Sequence, residues 1–465
     1  MKRVVLVSTY DLGRQPFGLA SPAAWLSRRG DRVRCLDLAV EPLDEEAIRA
    51  ADCVAFHLPM HTATRLATRM VERVRALNPA ARLGFYGLYA AMNERRLRLL
   101  GAEFVLGGEF EEELVARIHR EGPLSGIEER PGALGEPGGS ASGPGAPVPR
   151  LSFITPDRGG LPPLSSYAHL HDGSGRIRRV GYTEATRGCK HQCRHCPVVP
   201  VYRGRFRVVP RDVVLADIRQ QVEAGAEHIT FGDPDFLNGV GHALPLVRSL
   251  HREHPDLTYD ATIKIEHLLH HRQHLATLRE TGCVLITSAV ESIDDRVLGL
   301  LEKGHTRADF HEAVREMRAA SITLNPTFVA FTPWISLDGY RELLASIAEL
   351  DLVESLAPVQ LAIRLLIPEG SRLLELAEVR ALVEPFDDGL LVYPWKHRDP
   401  DVDRLQREAQ TLIQEGLRRR ENRRRIFARV WELAGRALGR DPGRIPTGRR
   451  VGRAPVPFLT EPWYC

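Results

Sequence analysis

Three cysteines that lie close together in the sequence are the residues best suited to bind a metal centre. Cys189, Cys193 and Cys196 have the spacing C-x3-C-x2-C, whereas the other four cysteines are scattered. An iron–sulfur cubane takes four ligands, so three thiolates on one loop would leave one iron open to an exogenous ligand. Zinc closed by His191 or His195, and a reduced loop without metal, are the alternatives. Zinc sites usually spread their ligand pairs over about a dozen or more residues, so the crowded spacing favours the cluster.

The cysteine loop lies inside a series of alternating strand and helix patterns that runs from Val180 to about Pro394. The predicted strands are 183–186, 228–231, 258–265, 284–290, 323–331 and 360–367. The amphipathic stretches between them include 212–224, 243–251, 307–319 and 337–350. Six such units predict a barrel or partial barrel, (β/α)6, with its chemistry at the C-terminal ends of the strands.

The first 120 residues show the same alternation, are long enough for five strand–helix units, and predict a second α/β domain. Strands that alternate with helices indicate a parallel sheet wrapped by helices, so we expect a doubly wound domain over residues 1–120. Residues 121–150 are rich in Pro, Gly and Ser and predict a flexible linker. The barrel with its lead-in segment is then expected at 151–395, and an Arg-rich helical extension with a cysteine-ending tail at 396–465.

The composition is typical of a soluble globular protein, since 43% of the 465 residues are hydrophobic and 26% are charged. No run approaches the ~18 apolar residues of a membrane span, and the N-terminus lacks a signal-peptide pattern. We therefore expect a cytoplasmic protein without membrane contact, in agreement with its sparse and odd cysteine count. The net charge is only +3, although residues 416–453 contain thirteen Arg. A nucleic-acid partner is therefore not expected.

The cysteine spacing after the first strand of such a series resembles the radical S-adenosylmethionine (SAM) superfamily. The resemblance implies that the open iron holds SAM, and that an electron from a reductase, flavodoxin or ferredoxin cleaves SAM to a 5′-deoxyadenosyl radical. His195 stands where the family often has an aromatic residue near the adenine. Phe231-Gly232-Asp233-Pro234-Asp235 resembles the motif that receives the SAM ammonium, and Val290-Glu291-Ser292 resembles the segment near the ribose.

Lys264 and a group of histidines each have two interpretations. Lys264 is expected on the third strand, where it either meets the SAM carboxylate inside the barrel or is solvated outside it. Four histidines recur at i, i+3, i+4 and i+7 and would share one helical face: His267, His270, His271 and His274. A polar outer face of a barrel helix is the favoured interpretation, and a second metal site is the alternative.

A doubly wound domain before a radical SAM barrel is similar to the cobalamin-binding class of that superfamily. The resemblance implies a corrinoid above the barrel and methyl transfer to an unactivated carbon as the leading reaction. The residues expected near the corrinoid are Tyr10, Gly18, Thr62, Gly87, Gly108 and Glu109. No D-x-H-x-x-G motif occurs, so we expect bound cobalamin in its base-off form. A sheet domain without a cofactor is the alternative.

The chain also resembles radical SAM proteins that end in a CUAEP or CCAEP tail. The runs 13–23, 181–202 and 455–465 carry this resemblance, and the last ends Thr-Glu-Pro-Trp-Tyr-Cys. That family has two adjacent thiol or selenol residues followed by Ala-Glu-Pro, whereas this sequence stops at Cys465. We expect a UGA codon taken for a stop, and a frayed natural terminus is the alternative. Cys465 is the catalytic candidate of this tail, as a redox partner or a site of modification.

Together these features predict an enzyme that binds one [4Fe–4S] cluster and SAM and modifies an unknown substrate by radical chemistry. Without a corrinoid, hydrogen abstraction followed by rearrangement or thiol chemistry is expected instead of methyl transfer. The rival hypothesis is a zinc-containing nucleic-acid-binding module that uses the Arg-rich segment 416–453. Phe427 and Trp431 are the few aromatic residues of that segment suited to base stacking, which disfavours the rival.

Overall fold

The structure, a computed structural model, describes residues 1–120, 150–447 and 456–461. Apart from Arg150, the predicted linker at 121–150 lies outside the described residues, and so does Cys465. The described residues form two main sheets with helices packed on them, in agreement with the predicted α/β class. No helix within these ranges is both long enough and apolar enough to span a membrane.

The first sheet contains five parallel strands, as the alternation of the first 120 residues predicts. Its strands are β1 Arg3–Ser8, β2 Arg32–Asp37, β3 Cys53–His57, β4 Arg82–Tyr86 and β5 Phe104–Leu106. They lie in the order β2-β1-β3-β4-β5. The helices are α1 Phe17–Arg28, α2 Glu45–Ala50, α3 His61–Leu77, α4 Leu88–Met92, α5 Glu94–Leu99 and α6 Glu111–His119. Val5 and Leu6 belong to separate apolar cores, so helices bury both faces of the sheet.

The second sheet forms a half-barrel of five parallel strands with two antiparallel strands at one edge. The remaining strands of the described residues are β6 His169–His171, β7 Ile177–Thr183, β8 Thr186–Gly188, β9 Phe206–Val208, β10 His228–Phe231, β11 Thr258–Thr262, β12 Cys283–Glu291, β13 Thr323–Phe328 and β14 Phe458–Leu459. Seven of them lie in the order β13-β12-β11-β10-β7-β6-β14, and β8 pairs with β9 separately. The predicted strand at 183–186 is thus divided between β7 and β8.

Helices connect and cover the half-barrel strands. They are α7 Val198–Tyr202, α8 Arg211–Glu223, α9 Val240–Glu253, α10 Ile265–His270, α11 Leu275–Glu280, α12 Asp295–Leu300, α13 Arg307–Ala319, α14 Leu337–Glu349, α15 Ala377–Arg380, α16 Pro400–Arg418 and α17 Arg423–Ala437. Short 3-10 turns are found at Leu164–Ser166, Phe236–Gly239, Arg272–His274, Pro358–Leu361 and Arg372–Glu375. The four amphipathic stretches quoted from the sequence correspond to α8, α9, α13 and α14.

The predicted sixth strand at 360–367 is wrong. Its first part belongs to the 3-10 turn Pro358–Leu361, and a single bridge to Phe331 is all that continues the parallel sheet there. The Gln360 side chain accepts a hydrogen bond from the N–H of Phe328 at 3.0 Å. A side chain therefore takes the place of a strand partner at the end of β13, and the described half-barrel stops after five parallel strands.

The Arg-rich C-terminal segment is helical as predicted, but it forms two helices with a break at residues 419–422. Leu405 on α16 and Phe427 on α17 belong to the same buried core as Leu344 of the barrel helix α14. The guanidinium of Arg341 also lies 3.1 Å from the ring centre of Trp431. The segment is therefore packed against the half-barrel along its apolar side.

Candidate functional site

The three clustered cysteines lie on the loop between β8 and α7. Cys189 and Cys193 are buried and Cys196 is half-buried. The thiols are close enough to affect one another's ionisation. Burial raises the pKa of Cys196 to about 12 and also raises that of Cys189, so these thiols stay protonated unless a bound metal compensates for their charge. The fold thus brings three sulfur donors together on one loop.

Hydrogen bonds from two other elements hold the cysteine loop in place. Asn238, in the 3-10 turn after β10, accepts a hydrogen bond from the N–H of Lys190 at 3.4 Å, and its Oδ1 lies 3.8 Å from the Cys189 sulfur. The N–H of Arg194 donates to the carbonyl of Leu301, at the end of α12, at 3.0 Å. The shape of the loop therefore depends on the folded barrel.

His195, Glu291 and Lys303 form an ionic cluster at the end of β12. Glu291 Oε1 lies 3.0 Å from His195 Nε2 and 3.4 Å from Lys303 Nζ. Burial alone would raise the pKa of Glu291, but Lys303 and His195 outweigh it and hold that pKa at about 2. Glu291 also has φ of 68°, a strained conformation for a residue with a side chain. Ser292 follows it and accepts a hydrogen bond from the N–H of Asp294 at 3.1 Å.

Gly232 and Asp233 lie directly after β10, at the C-terminal edge of the half-barrel. The buried Asp233 carboxylate accepts hydrogen bonds from the Thr186 hydroxyl at 2.6 Å and from the N–H of Ala185 at 3.0 Å. Burial raises the pKa of Asp233 to about 7. A Cβ atom at Gly232 would lie 1.9 Å from the Tyr182 hydroxyl, so only glycine fits against that ring. The strand end is therefore tightly packed against the base of the cysteine loop.

Lys264 does not lie on the third strand, contrary to the expectation from the sequence. The strand β11 ends at Thr262, and Lys264 is the residue that precedes α10. Its side chain is buried and its Nζ lies 3.1 Å from Glu266 Oε2, which excludes the solvated alternative. The apolar alternation continues past Thr262, but the β11 pairing with β12 stops at that residue, so the chain turns into a helix earlier than the pattern indicates.

Of the four regularly spaced histidines, His267 is the buried one. Its Nδ1 lies 2.6 Å from Asp235 Oδ2, and its Nε2 lies 3.2 Å from His191 Nε2. One donor atom from each of His191, Asp235 and His267 falls within 4.8 Å of the others. The helix α10 ends at His270, so the expectation of one continuous helical face is wrong beyond that residue.

A groove lies between the strand ends of the first sheet and those of the half-barrel. It is open to solvent and has about 810 Å³ of space between and above its protein atoms. Residues from both layers line it, including Asp11, Gly18, His57 and Gly87 on one side and Glu184, Gly188 and Gly232 on the other. Ligands of parallel α/β sheets bind beyond the carboxyl ends of the strands, and this groove has that position.

Half of the residues expected near a corrinoid line this groove. Those residues are Gly18, Gly87 and Gly108. The other three are not part of its lining: Tyr10, Thr62 and Glu109. Glu109 instead accepts a hydrogen bond from the Tyr202 hydroxyl at 3.0 Å and lies 3.4 Å from Arg187 Nη1. Its carboxylate therefore belongs to the contact between the two layers.

The sequence analysis overlooked two residues of the groove, His57 and Arg187. His57 is the last residue of β3, so its place at a strand end was the available signal. Burial, assisted by the positive charge of Arg187, lowers the pKa of His57 to about 3 and keeps its ring neutral. Arg187 pairs with the nearby Glu184, but its other partners, Glu111 and the ring of Phe17, are far away in the sequence and no local pattern reveals them.

Comparison with known proteins gives one family and several partial relatives. Residues 183–333 match the model of the radical SAM superfamily. The tRNA-2-methylthio-N(6)-dimethylallyladenosine synthase of Chlorobium chlorochromatii is 28% identical over 186 residues, which cover 35% of this chain and 38% of that protein. The threonylcarbamoyladenosine tRNA methylthiotransferase MtaB of Rickettsia prowazekii is 24% identical over 161 residues, which cover 32% of this chain and 36% of that protein. The matches thus span little more than a third of these curated relatives.

Two solved structures share the fold over most of the chain. The cobalamin-dependent SAM radical enzyme OxsB, solved with aqua-cobalamin and SAM, has a TM-score of 0.67 at 14% identity and covers 90% of this chain and 67% of its own. The radical SAM methyltransferase TsrM from Kitasatospora setae, solved with cobalamin and a [4Fe–4S] cluster, has a TM-score of 0.60 at 17% identity, covering 83% and 80%. At such low identity the likeness shows the fold alone. The curated relatives are enzymes, and residues 183–333 of this chain form a domain of the radical SAM superfamily.

Proposed function

We propose that this protein binds one [4Fe–4S] cluster through Cys189, Cys193 and Cys196 and uses it to cleave SAM. The observation that carries the proposal is the loop of three neighbouring thiols inside a radical SAM domain. Three protein ligands leave one iron of a cubane open, which is where SAM binds in this family. When bound, the cluster supplies the electron for reductive cleavage, and an external reductase, flavodoxin or ferredoxin replaces that electron. The substrate of the resulting radical chemistry is open.

The proposed SAM residues surround the cysteine loop: His195, Gly232, Asp233, Lys264, Glu291 and Ser292. His195 precedes the third cysteine, and the 3.0 Å contact between its Nε2 and Glu291 Oε1 favours a fixed position beside the adenine. The buried ammonium of Lys264 is suited to a carboxylate. Its present partner Glu266 has a side chain that is 42% exposed, so Glu266 can turn to solvent when a bound carboxylate replaces it beside the buried Lys264 ammonium.

We further propose that the groove between the two layers binds a cobalamin, and that the leading reaction is methyl transfer. The groove lies beyond the ends of two sets of parallel strands, and Gly87 and Gly108 keep its wall free of side chains. Among the described residues the buried Nδ1 of His57 has no hydrogen-bond partner, and such an atom calls for a ligand or water. When bound, a corrinoid supplies a cobalt centre that carries a methyl group. The fold shared with OxsB and TsrM, both solved with cobalamin, supports this assignment.

The contacts of the Arg-rich helices disfavour the rival nucleic-acid hypothesis. Arg424 Nε lies 2.6 Å from Glu354 Oε1, and Arg429 Nη1 lies 3.0 Å from Glu421 Oε2. Arg440 Nη1 lies 2.8 Å from a carboxylate oxygen of Asp338. Acidic residues of the same chain therefore compensate several of the charges that a nucleic-acid surface would need.

Anaerobic reconstitution of the full chain with iron and sulfide tests the first proposal. The purified protein is expected to hold a [4Fe–4S] cluster and to release 5′-deoxyadenosine from SAM after chemical reduction. Cys193→Ala should lose iron, sulfide and 5′-deoxyadenosine together, because a methyl group cannot replace a thiolate ligand. Cys283→Ala is the matched control, since Cys283 is buried in β12 away from the loop, and it should retain all three.

Two results would contradict the proposed function. SAM cleavage by Cys193→Ala would remove the cluster assignment. Failure of the full chain to bind hydroxocobalamin, measured by retention of the corrinoid on gel filtration, would remove the cobalamin and favour the alternative of a sheet domain without a cofactor. In that case hydrogen abstraction followed by rearrangement or thiol chemistry becomes the expected reaction.

A further inference from the structure

His57 ends the central strand of the first sheet with its side chain at the floor of the groove. The strand β3 lies between β1 and β4, and His57 is its last residue. The side chain lines the groove and is 8% exposed. A parallel sheet directs the residues at its carboxyl ends toward bound ligands, so this position is suited to contact with a ligand in the groove.

The ring of His57 is held in one place by its neighbours. Its centroid lies 5.3 Å from that of Tyr86 and 6.1 Å from that of Phe110. A Cβ atom at Gly18 would lie 2.1 Å from the imidazole, and one at Gly87 would lie 3.1 Å from it. These two positions therefore accept only glycine beside the ring. Such close packing keeps the imidazole in a fixed orientation without using either of its nitrogens.

The imidazole has a nitrogen that no group of the described residues satisfies. His57 Nδ1 is buried and has no hydrogen-bond partner there, and an unpaired buried polar atom is destabilising. The neighbouring donors of the groove differ in this respect. The Tyr202 hydroxyl donates to Glu109, and the guanidinium of Arg187 is bound to Glu111. A neutral imidazole that is held in place at the groove and makes no hydrogen bond among the described residues is suited to bind a metal.

We propose that His57 is an axial ligand of the cobalt in the corrinoid bound by this groove, on the side of the first sheet. The inference rests on the proposed cobalamin site and assigns one residue of this chain to the metal. A neutral imidazole is the commonest protein ligand of transition metals. The proposal differs from the base-off form without a histidine ligand that the missing D-x-H-x-x-G motif predicts. The structure supplies an imidazole from the end of β3, where that motif does not apply.

Electron paramagnetic resonance of the cobalt(II) form tests this ligation directly. The full chain is loaded with hydroxocobalamin and reduced to cobalt(II), once with natural histidine and once with [15N]histidine incorporated during expression. A single axial nitrogen-14 splits each cobalt hyperfine line into a triplet, and nitrogen-15 changes it to a doublet. We expect the triplet to become a doublet in the labelled protein. Labelling distinguishes a histidine from the corrinoid's own nitrogen base, and it needs no variant that has to fold.

Two variants then assign the signal to one histidine. His57→Phe retains an aromatic ring between Tyr86 and Phe110, and it should bind the corrinoid but lose the splitting by histidine. His61→Gln is the matched control, because His61 begins α3 nearby and its Nε2 lies 2.7 Å from the carbonyl of Leu390. This control should retain the splitting.

The other outcomes contradict the inference in distinguishable ways. A triplet that labelling leaves unchanged assigns the ligand to the corrinoid base, and a spectrum without nitrogen splitting shows that no nitrogen is bound. Either result would show that His57 does not ligate the cobalt, whereas the proposal that the groove binds a corrinoid would still hold. A protein that binds no corrinoid overturns the cobalamin part of the proposed function, and the role of His57 with it.

Discussion

Arg187, two residues before the first cysteine of the loop, donates two hydrogen bonds to the carboxylate of Glu111 at the start of α6. The distances are 2.6 Å and 2.9 Å, and both side chains are buried. The guanidinium also lies 5.5 Å from the ring centre of Phe17 and 5.6 Å from that of Phe110. The base of the cysteine loop is thus bound to the first sheet, so the two layers cannot be displaced without moving the loop.

The Arg187→Met variant is expected to destabilise the fold by about 3–5 kcal/mol, because it leaves a buried carboxylate without its partner. Arg187→Lys should recover only part of the loss, since an ammonium cannot make the two parallel hydrogen bonds of a guanidinium. Anaerobic urea denaturation measures both effects. Arg176→Met is the control, because Arg176 pairs with Glu227 at the exposed surface. Equal stability of Arg187→Met and the control would contradict the prediction.

Glu291 and Lys303 provide a second test of a buried ion pair beside the cysteine loop. Glu291→Gln leaves the buried ammonium of Lys303 without a compensating charge, and we expect a loss of about 3–5 kcal/mol. Adding Lys303→Met should restore part of this stability, because the uncompensated charge is then removed. Denaturation midpoints of the two single variants and the double variant measure the coupling. If the double variant loses as much stability as the two single variants together, Glu291 and Lys303 do not interact.

The titration of Asp11 should make stability fall as pH rises from acidic to neutral. Burial raises the pKa of Asp11 from its usual 3.8 to about 7. Between these two values the folded state binds more protons than the unfolded state, so the contribution of Asp11 decreases by up to ~1.4 kcal/mol per pH unit within that window. Asp11→Asn removes this dependence. Unfolding free energies measured at several pH values in this window should therefore have a more positive slope against pH in the variant, and an unchanged slope would refute the assignment.

Residues 456–461, the described part of the C-terminal tail, are expected to be held against β6 by Glu461. Phe458–Leu459 pair with β6, and Glu461 forms an ion pair with Arg14 in the loop after β1. Glu461→Gln should weaken this docking and increase the hydrogen exchange of the Thr460 amide, which donates to the His169 carbonyl at 2.9 Å. Hydrogen exchange with mass spectrometry measures the change.

The control for the tail is Glu432→Gln, an exposed position on α17. Its exchange in the tail should equal that of the unmodified protein. If Glu461→Gln also leaves exchange unchanged, strand pairing alone holds the tail. Cys465 lies outside the described residues, so its role as a redox partner or a site of modification stays a prediction.

Local sequence patterns determined the succession of elements and the metal-binding loop. Apolar periodicity gave the five strands of the first sheet and the helices α8, α9, α13 and α14, because burial of one face acts over neighbouring residues. The spacing of the three cysteines needed no tertiary information, since all three lie on one loop. The prediction of a strand at 360–367 is wrong because an apolar run does not reveal that the Gln360 side chain will hydrogen-bond to the end of β13.

Tertiary structure alone decided which polar groups meet. Arg187 and Glu111 are in contact although they are 76 residues apart in the sequence, and the same separation divides His191 from His267. Lys264 is buried in the turn between β11 and α10, and the His57 imidazole lies among glycines and aromatic rings, with no hydrogen-bond partner for its Nδ1 in the described part of the chain. Partners of this kind are fixed by the packing of distant segments, whose free energy depends on the complete fold and has no signature in the local sequence.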